Sequence, residues 1–248
     1  MSRLLTFIFM LCLAGVLLSA WQKDAFHNDL ILSEDLIRDP QQTAVEKEPF
    51  QVSQGGVNYR VEPLYRYAIE GIVVSLQHHD GDRMLHRRWN DHLNVADLCV
   101  VWGHNASRVD LSEFDFWNGQ FTCFFKTSSN SAWVSFHHDQ ISNNHLLSDD
   151  EWVRDQIEDL RIGDQVRLQG YLARYSQGSR FQRGTSTPRS DTGNGACETL
   201  YVEDVQITAR MNEGWHLMYA GTWWGVLGSA VLWLWGVMSG KIRKNPMR

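Results

Sequence analysis

The chain has 248 residues, of which 43% are hydrophobic and 21% charged, and its formal net charge is −6. This length allows one large domain or two small ones, and the composition excludes both a disordered chain and an all-membrane protein. The negative charge argues against a protein that coats nucleic acid, so we expect no nucleic-acid partner. All 29 acidic residues lie between Asp24 and Glu213, and the tail after Glu213 carries only cations.

The first apolar segment, residues 4–22, contains no charged residue. A helix of this length approaches the thickness of the membrane's hydrocarbon layer, about 30 Å. Arg3 supplies a short basic leader, so a cleaved signal peptide is the alternative. The cleavage region around Ser19-Ala20 is poor, because leucine stands three positions earlier, where a small residue is needed. We therefore predict an uncleaved membrane anchor and leave cleavage open.

The second apolar segment, residues 215–240, has no acidic residue, lysine or arginine, and the basic tail 241–248 follows it. The positive-inside rule assigns this tail and Arg3 to the cytoplasm, which places the residues between the spans in a bacterial periplasm. We therefore expect an inner-membrane protein with both termini cytoplasmic. Gly221, Gly225 and Ser229 repeat at a spacing that lets membrane helices approach closely, as do Gly15 and Ser19 in the first span, which allows the two spans to pack on each other or the chain to form a helix–helix oligomer. The alternative is that glycine is simply frequent in membrane helices.

Between the spans, residues 23–58 have the composition of a stalk, with a helical turn or two over residues 30–37. Residues 59–210 form the main domain. Alternation and β-branched content predict strands over 59–77, 95–103, 119–127, 132–136, 164–175 and 198–209. A helix precedes the last two strands, with Ser148 and Glu151 as its capping box and Gly163 at its end.

With 119–127 and 132–136 counted together, the order is three strands, a helix and two further strands, with Gly71 inside a long first strand, which is the order of the OB-fold. We therefore predict a mainly β fold class: an OB-like five-stranded barrel with one helix between strands three and four, flanked by two transmembrane helices. The segment IGDQVRLQGYL resembles the fourth strand of OB-fold domains. The motifs LNVADLCVVWG, ISNNHLLSDD, GDQVRLQGYLARY and RGTSTPRSDTGNGACETLYVED resemble a group of uncharacterised bacterial membrane-anchored proteins, a resemblance that implies no activity.

OB barrels commonly bind ligands with the loops between strands one and two and between strands four and five, which here are residues 78–95 and 176–197. These loops hold more cations than anions, although the domain as a whole is acidic, so we expect them to meet and to bind an anionic ligand. The alternative is that the arginines pair with local acids. The candidate ligand-binding residues are Arg83, Arg87, Arg88, Arg180, Arg183, Arg189 and Asp191.

The cysteines between the spans number three, which allows one internal disulfide. Cys99 and Cys123 form one candidate pair, and Cys123 with Cys197 is the other. A catalytic thiol needs a cationic, partly exposed setting, and Cys197 approaches it most closely. The motif His-His-Asp occurs at residues 78–80 and 137–139, but adjacent histidines on a strand point to opposite faces, so we expect no metal and no cofactor.

These observations favour a non-enzymatic inner-membrane protein whose periplasmic OB-like domain binds a protein partner or an anionic envelope ligand. Membrane and other envelope proteins are the expected partners. The alternative is a membrane-anchored envelope hydrolase that combines the histidine-rich first loop (His78, His79, His86 and His92) with Ser186 or Ser190 of the second.

Overall fold

A computed structural model describes residues 2–27, 32–79, 89–119, 122–178, 181–193 and 196–239. The chain divides into two compact units, one made of Phe26–Met211 and one made of the terminal segments Met1–Ala25 and Asn212–Arg248. Strands hold 39% of the residues and helices 34%, so the chain is mixed α/β with a large sheet. We predicted a mainly β class, and the two long terminal helices account for much of the difference.

The terminal unit consists of α1 (Ser2–Gln22) and the last helix, α5 (Glu213–Met238). Both helices are long and apolar enough to cross a membrane, in agreement with the membrane association expected from the sequence.

Small residues lie where these two helices pack against each other. A Cβ on Gly15 would come 2.6 Å from Thr222 Cγ2, and a Cβ on Gly225 would overlap Cys12 Sγ. The glycine at position 225 therefore serves a contact within the chain. In the described part of the chain, Gly221 has no atom within 4 Å of a built Cβ, and an oligomer through this helix face stays a prediction.

The main unit is built on an eight-stranded sheet. Its strands are β1 (Gln41–Ala44), β2 (Phe50–Gln54), β3 (Val57–His78), β4 (Asn94–Val101), β7 (Ile141–Leu147), β8 (Gln165–Gln177), β9 (Phe181–Arg183) and β10 (Cys197–Ala209). β3 is rich in valine, isoleucine and tyrosine, which suit extended backbone, and its length lets it pair with β1, β2, β4 and β8.

Five of these strands are linked in a ring of pairings. β3 pairs with β4, β4 with β7, β7 with β10, β10 with β8, and β8 with β3. The β7–β10 pair is parallel and the other four are antiparallel. Each strand contributes to one buried cluster, whose members include Ile69, Leu98, Leu146, Leu168 and Leu200.

A second layer covers the opposite face of β3 and β4. It contains a two-stranded hairpin, β5 (Asp115–Gly119) with β6 (Thr122–Lys126), and the short helices α2 (Gly103–Arg108) and α3 (Asn130–Ser135). Aromatic side chains of this layer pack on Ile72 and Val101. The strand predicted over residues 119–127 therefore belongs to this hairpin and not to the large sheet.

The strand predicted over residues 132–136 is wrong, because residues 130–135 form α3. The Ser129 side chain accepts a hydrogen bond from the Ala132 N–H and caps this helix, and the local cap outweighs the strand propensity of the sequence. The helix α4 (Glu151–Glu158) lies between β7 and β8 as expected. Its N-cap is Asp150 and not the predicted Ser148, whose hydroxyl accepts from the Asp150 N–H instead.

The predicted stalk also differs from the structure, since β1 and β2 lie within residues 23–58 and pair with β3. Short strands with few apolar residues are hard to recognise without the partner strand that satisfies their backbone. Of the helical turn expected over residues 30–37, the described part is a 3-10 turn, Glu34–Ile37.

Candidate functional site

The candidate site is a row of polar side chains that crosses β10, β7, β4 and the end of β3. Cys197 Sγ lies 2.9 Å from His145 Nε2, and His145 Nδ1 is hydrogen-bonded to Asp97 Oδ1. His79, the residue after β3, places its Nε2 3.0 Å from the same carboxylate oxygen. Asp97 and His145 are direct partners in the register of β4 and β7. Cys197 on β10 pairs in parallel with Asn143 of β7, two residues before His145. These two registers bring the three side chains into one row.

The row lies on the face of the sheet that points away from the main apolar cluster. Leu98 and Leu146 belong to that cluster, and their neighbours Asp97 and His145 point the other way because side chains alternate along a strand. Both side chains are nonetheless buried, with exposed fractions of 6% and 1%. A buried polar pair of this kind needs complete hydrogen bonding to be tolerated.

Asp97 is held in its ionised form. Burial alone would raise the pKa of Asp97, but the hydrogen bonds and charges of His145 and His79 outweigh burial and hold this pKa well below its usual range. Asn94 Nδ2 donates a further hydrogen bond to Asp97 Oδ1 at 3.1 Å. An ionised carboxylate only accepts, so the proton of His145 is assigned to Nδ1, and Nε2 presents its lone pair to Cys197.

The thiol and the imidazole form a neutral pair at rest. Burial raises the pKa of the Cys197 thiol to about 11. Burial also lowers the pKa of His145, against the opposing influence of Asp97. At neutral pH the Cys197 S–H therefore donates to a neutral imidazole, which is placed to accept the proton when the sulfur attacks an electrophile.

A cavity of about 480 Å³ gives access to the sulfur. It is lined by Trp89, His145, Phe181, Gln182, Arg183, Gly184 and Cys197. The Trp89 and Phe181 rings stack with their centroids 5.9 Å apart, and Arg183 Cζ lies 5.9 Å from each ring centroid. Trp89 comes from the loop between β3 and β4, and Phe181 and Arg183 come from the connection between β8 and β10. The two loops that we expected to meet contact each other here.

The predicted ligand-binding residues fall into three groups. Arg183 lines the cavity, whereas Arg189 and Asp191 do not. The remaining candidates lie outside the described residues: Arg83, Arg87, Arg88 and Arg180. His86, a histidine of the hydrolase alternative, also lies outside them.

Arg189 is held beside the site by a buried acid. Its Nη1 lies 3.0 Å from Glu198 Oε1 and donates to the Tyr67 hydroxyl at 3.2 Å. Burial raises the pKa of Glu198 to about 7, although Arg189 acts in the opposite direction. Asp191 accepts a hydrogen bond from the Ser186 hydroxyl. Arg189 therefore follows the alternative that the sequence left open, in which the loop arginines pair with local acids.

The cysteines resolve into one disulfide and one thiol in this unit. Cys99 and Cys123 are bonded and join β4 to β6, with their Cα atoms 5.8 Å apart, and Cys197 is free. Asn143 stands between them: its Oδ1 lies 3.9 Å from Cys123 Sγ, and its Nδ2 lies 3.9 Å from Cys197 Sγ. The disulfide therefore supports the hairpin that packs beside the row.

The histidine–aspartate repeats do not form a common site. His137 stacks on His104 with ring centroids 4.4 Å apart, whereas His79 belongs to the row, and Asp80 lies outside the described residues. Within the described ranges, no group of three or more His, Cys, Asp or Glu side chains is placed to hold a metal ion.

Sequence reasoning named Cys197 as the thiol in the most suitable setting and His79 as a first-loop histidine, but it missed Asp97 and His145. Both lie inside buried strands: Asp97 stands among apolar residues in the motif LNVADLCVVWG, and His145 follows two asparagines in ISNNHLLSDD. A charged residue in a continuously buried strand needs a partner, and that was the available signal. The partner could not be named because β7 was not recognised as a strand.

Comparisons of the chain with protein-family models, with curated proteins and with solved structures found no match. The geometry of the site therefore carries the functional argument on its own.

Proposed function

We propose that this chain is a membrane-anchored enzyme that uses the Cys197 thiol as the nucleophile of an acyl-transfer reaction. The observation that carries the proposal is the Cys197–His145–Asp97 row, with its sulfur end opening on a cavity. A nucleophile, a base within hydrogen-bond reach and a third group that orients the base are the parts this chemistry requires.

The roles follow from the protonation states. As Cys197 Sγ attacks a substrate carbonyl carbon, its proton passes to His145 Nε2. The tetrahedral intermediate then collapses to a thioester, and the leaving group departs with the proton from His145. Water or an amine releases the acyl group and regenerates the thiol. Asp97 is a positioning residue, because it holds the tautomer of His145 and stabilises the imidazolium that forms.

The fold and location belong to the same proposal. The ring of pairings, its parallel β7–β10 pair and the position of α4 support an OB-like barrel, whose second and third strands would be β4 and β7. The row crosses these two strands and ends at Cys197 and His79, which border the two long loops, the region where OB barrels commonly bind. The Cys99–Cys123 disulfide supports export, since disulfides persist in oxidising compartments such as the periplasm.

The test is acylation of the full-length chain, purified in detergent, by 4-nitrophenyl acetate. We expect a burst of nitrophenolate and a thioester on the peptide that contains Cys197. Cys197→Ala abolishes both, and His145→Gln slows the burst about 100-fold, the usual contribution of a general base. Cys12→Ser is the matched control, because it removes the other free thiol and leaves the site intact. An equal burst in wild type and Cys197→Ala would refute the proposal.

Topology is tested separately with fusions after Arg248. With both termini cytoplasmic, green fluorescent protein at this position fluoresces, and alkaline phosphatase at the same position is inactive. The opposite pattern would place the main domain in the cytoplasm.

Binding of an envelope protein, favoured by the sequence, is the second candidate function. Trp117 and Phe124 stack on the β5–β6 hairpin, with centroids 5.5 Å apart and exposed fractions of 42% and 43%. Exposed aromatic pairs of this kind suit a protein contact. Crosslinking and pulldown through a tag after Arg248 should recover a stoichiometric partner that the double variant Trp117→Ser and Phe124→Ser loses. A chain that is recovered alone would remove this candidate.

A further inference from the structure

The cavity above Cys197 has a cationic and aromatic wall. Arg183 lies on β9 and packs on both Trp89 and Phe181. Among the described residues that line the cavity, it is the side chain that carries a full charge at neutral pH. The electric field of this guanidinium reaches the reacting atoms, since Arg183 lowers the pKa of both Cys197 and His145, although burial is the largest influence on each.

Among the described residues, the two buried carboxylates in or next to the row do not line the cavity. Asp97 is 6% exposed and is engaged by two histidines, and Glu198 is 1% exposed and paired with Arg189. Neither residue lines the cavity. The described lining therefore places a cation and two aromatic rings in the same cavity as the sulfur.

We propose that Arg183 selects acyl donors that carry a carboxylate or a similar anionic group close to the carbon that Cys197 attacks. This inference rests on the proposed function and names the substrate class of the same site. The planar guanidinium binds a carboxylate through paired hydrogen bonds, and the Trp89 and Phe181 rings, each 5.9 Å from its Cζ, hold it at the cavity wall. The apolar part of the donor packs against these two rings, which line the same cavity.

The experiment compares two alkylating agents that differ in charge but share a leaving group. Iodoacetate and iodoacetamide each form one S–C bond at Cys197 and release iodide, while His145 takes the thiol proton. Alkylation of the full-length chain in detergent is followed on the Cys197 peptide by mass spectrometry. The rate ratio of iodoacetate to iodoacetamide cancels any change in thiol pKa, because such a change slows both reagents equally.

For the wild type, we expect this ratio to exceed that of a free model thiol, and Arg183→Gln to lower it about two- to fivefold, the effect of one partly screened charge. Arg174→Gln is the matched control. It removes the same net charge from an exposed position of β8 outside the cavity and should leave the ratio unchanged.

Each outcome decides a different point. An unchanged ratio in Arg183→Gln, or an equal fall in Arg174→Gln, overturns the selection of anions while normal alkylation by iodoacetamide leaves the thiol mechanism standing. If neither reagent modifies Cys197 in the folded chain, the sulfur is inaccessible, and both proposals fall together.

Discussion

Replacing Asp97 with asparagine tests the carboxylate that contacts both histidines of the row. The change keeps the size of the side chain and removes the charge that His145 and His79 share. A hydrogen bond to a charged group contributes about 1.5–3 kcal/mol, and a neutral one about 0.5–1.5 kcal/mol. With two histidine donors affected, we expect Asp97→Asn to lower the free energy of unfolding by about 2 kcal/mol. In a domain of this size, that corresponds to a fall in melting temperature of about 4–8 °C.

The pH dependence of this loss has a definite sign. Because the pKa of Asp97 is depressed in the folded state, its contribution to stability is present above the unfolded pKa, which is about 4, and is lost as the pH falls through the folded value. The difference in melting temperature between wild type and variant should therefore persist from pH 7 down to about pH 5 and narrow in stronger acid.

Thermal unfolding of the full-length chain in detergent measures this effect, and alkylation of Cys197 by iodoacetamide gives a second readout. The variant should react at least about tenfold more slowly at pH 7, since the tautomer of His145 is no longer fixed. Asp115→Asn is the matched control, because Asp115 is 74% exposed and lies 3.4 Å from Lys126 at the surface. A variant that melts within about 1 °C of the wild type would refute the reasoning that the carboxylate is charged and shared.

Three further outcomes are expected. The rate of Cys197 alkylation should change little between about pH 7 and 9, because the thiol, whose pKa burial raises to about 11, gives its proton to neutral His145 and not to the solvent; a rise of about tenfold per pH unit would show that His145 does not act as the base. Replacing both Cys99 and Cys123 with serine should lower the free energy of unfolding by about 3–4 kcal/mol, because the disulfide closes a loop with a sequence separation of 24 and so restricts the unfolded chain. A loss under about 1 kcal/mol by chemical denaturation would contradict this. Arg189→Glu should destabilise the domain by about 3 kcal/mol, since it sets a second carboxylate against buried Glu198, and adding Glu198→Gln should recover most of the loss in thermal melts.

Patterns within one segment allowed part of the fold to be predicted. The two apolar helices, the long strand β3 and the amphipathic helix α4 were recognised from runs of side chains that are contiguous along the chain. In β3 and α4 the spacing of the apolar residues marks the buried face, whereas in the two terminal helices the length of the apolar run carries the prediction. The meeting of the two long loops at Trp89 and Phe181 followed from strand order alone.

The strand β7 could not be predicted, because its burial does not follow from its composition. Residues 141–147 include two asparagines and a histidine, and all seven are buried. Asn144 Nδ2 donates to the Ser142 hydroxyl at 3.0 Å, and partners of this kind satisfy polar atoms that a sequence pattern assigns to a loop. Without β7, His145 had no place in the sheet, and neither did its contact with Cys197.

Stability alone does not account for a buried charged row at this position in the sheet. Breaking one member of a buried ionic group is costly, whereas replacing the whole group with apolar side chains of similar volume is often neutral or stabilising by about 1–4 kcal/mol. We therefore expect the triple variant Asp97→Leu, His79→Leu and His145→Met to unfold at or above the wild-type temperature while alkylation of Cys197 loses its assistance by a base. If the triple variant is instead as unstable as Asp97→Asn, the charged row is a structural element of the sheet. If it is stable, the charge serves the thiol, since no requirement of folding would then account for two histidines gathered around a buried carboxylate.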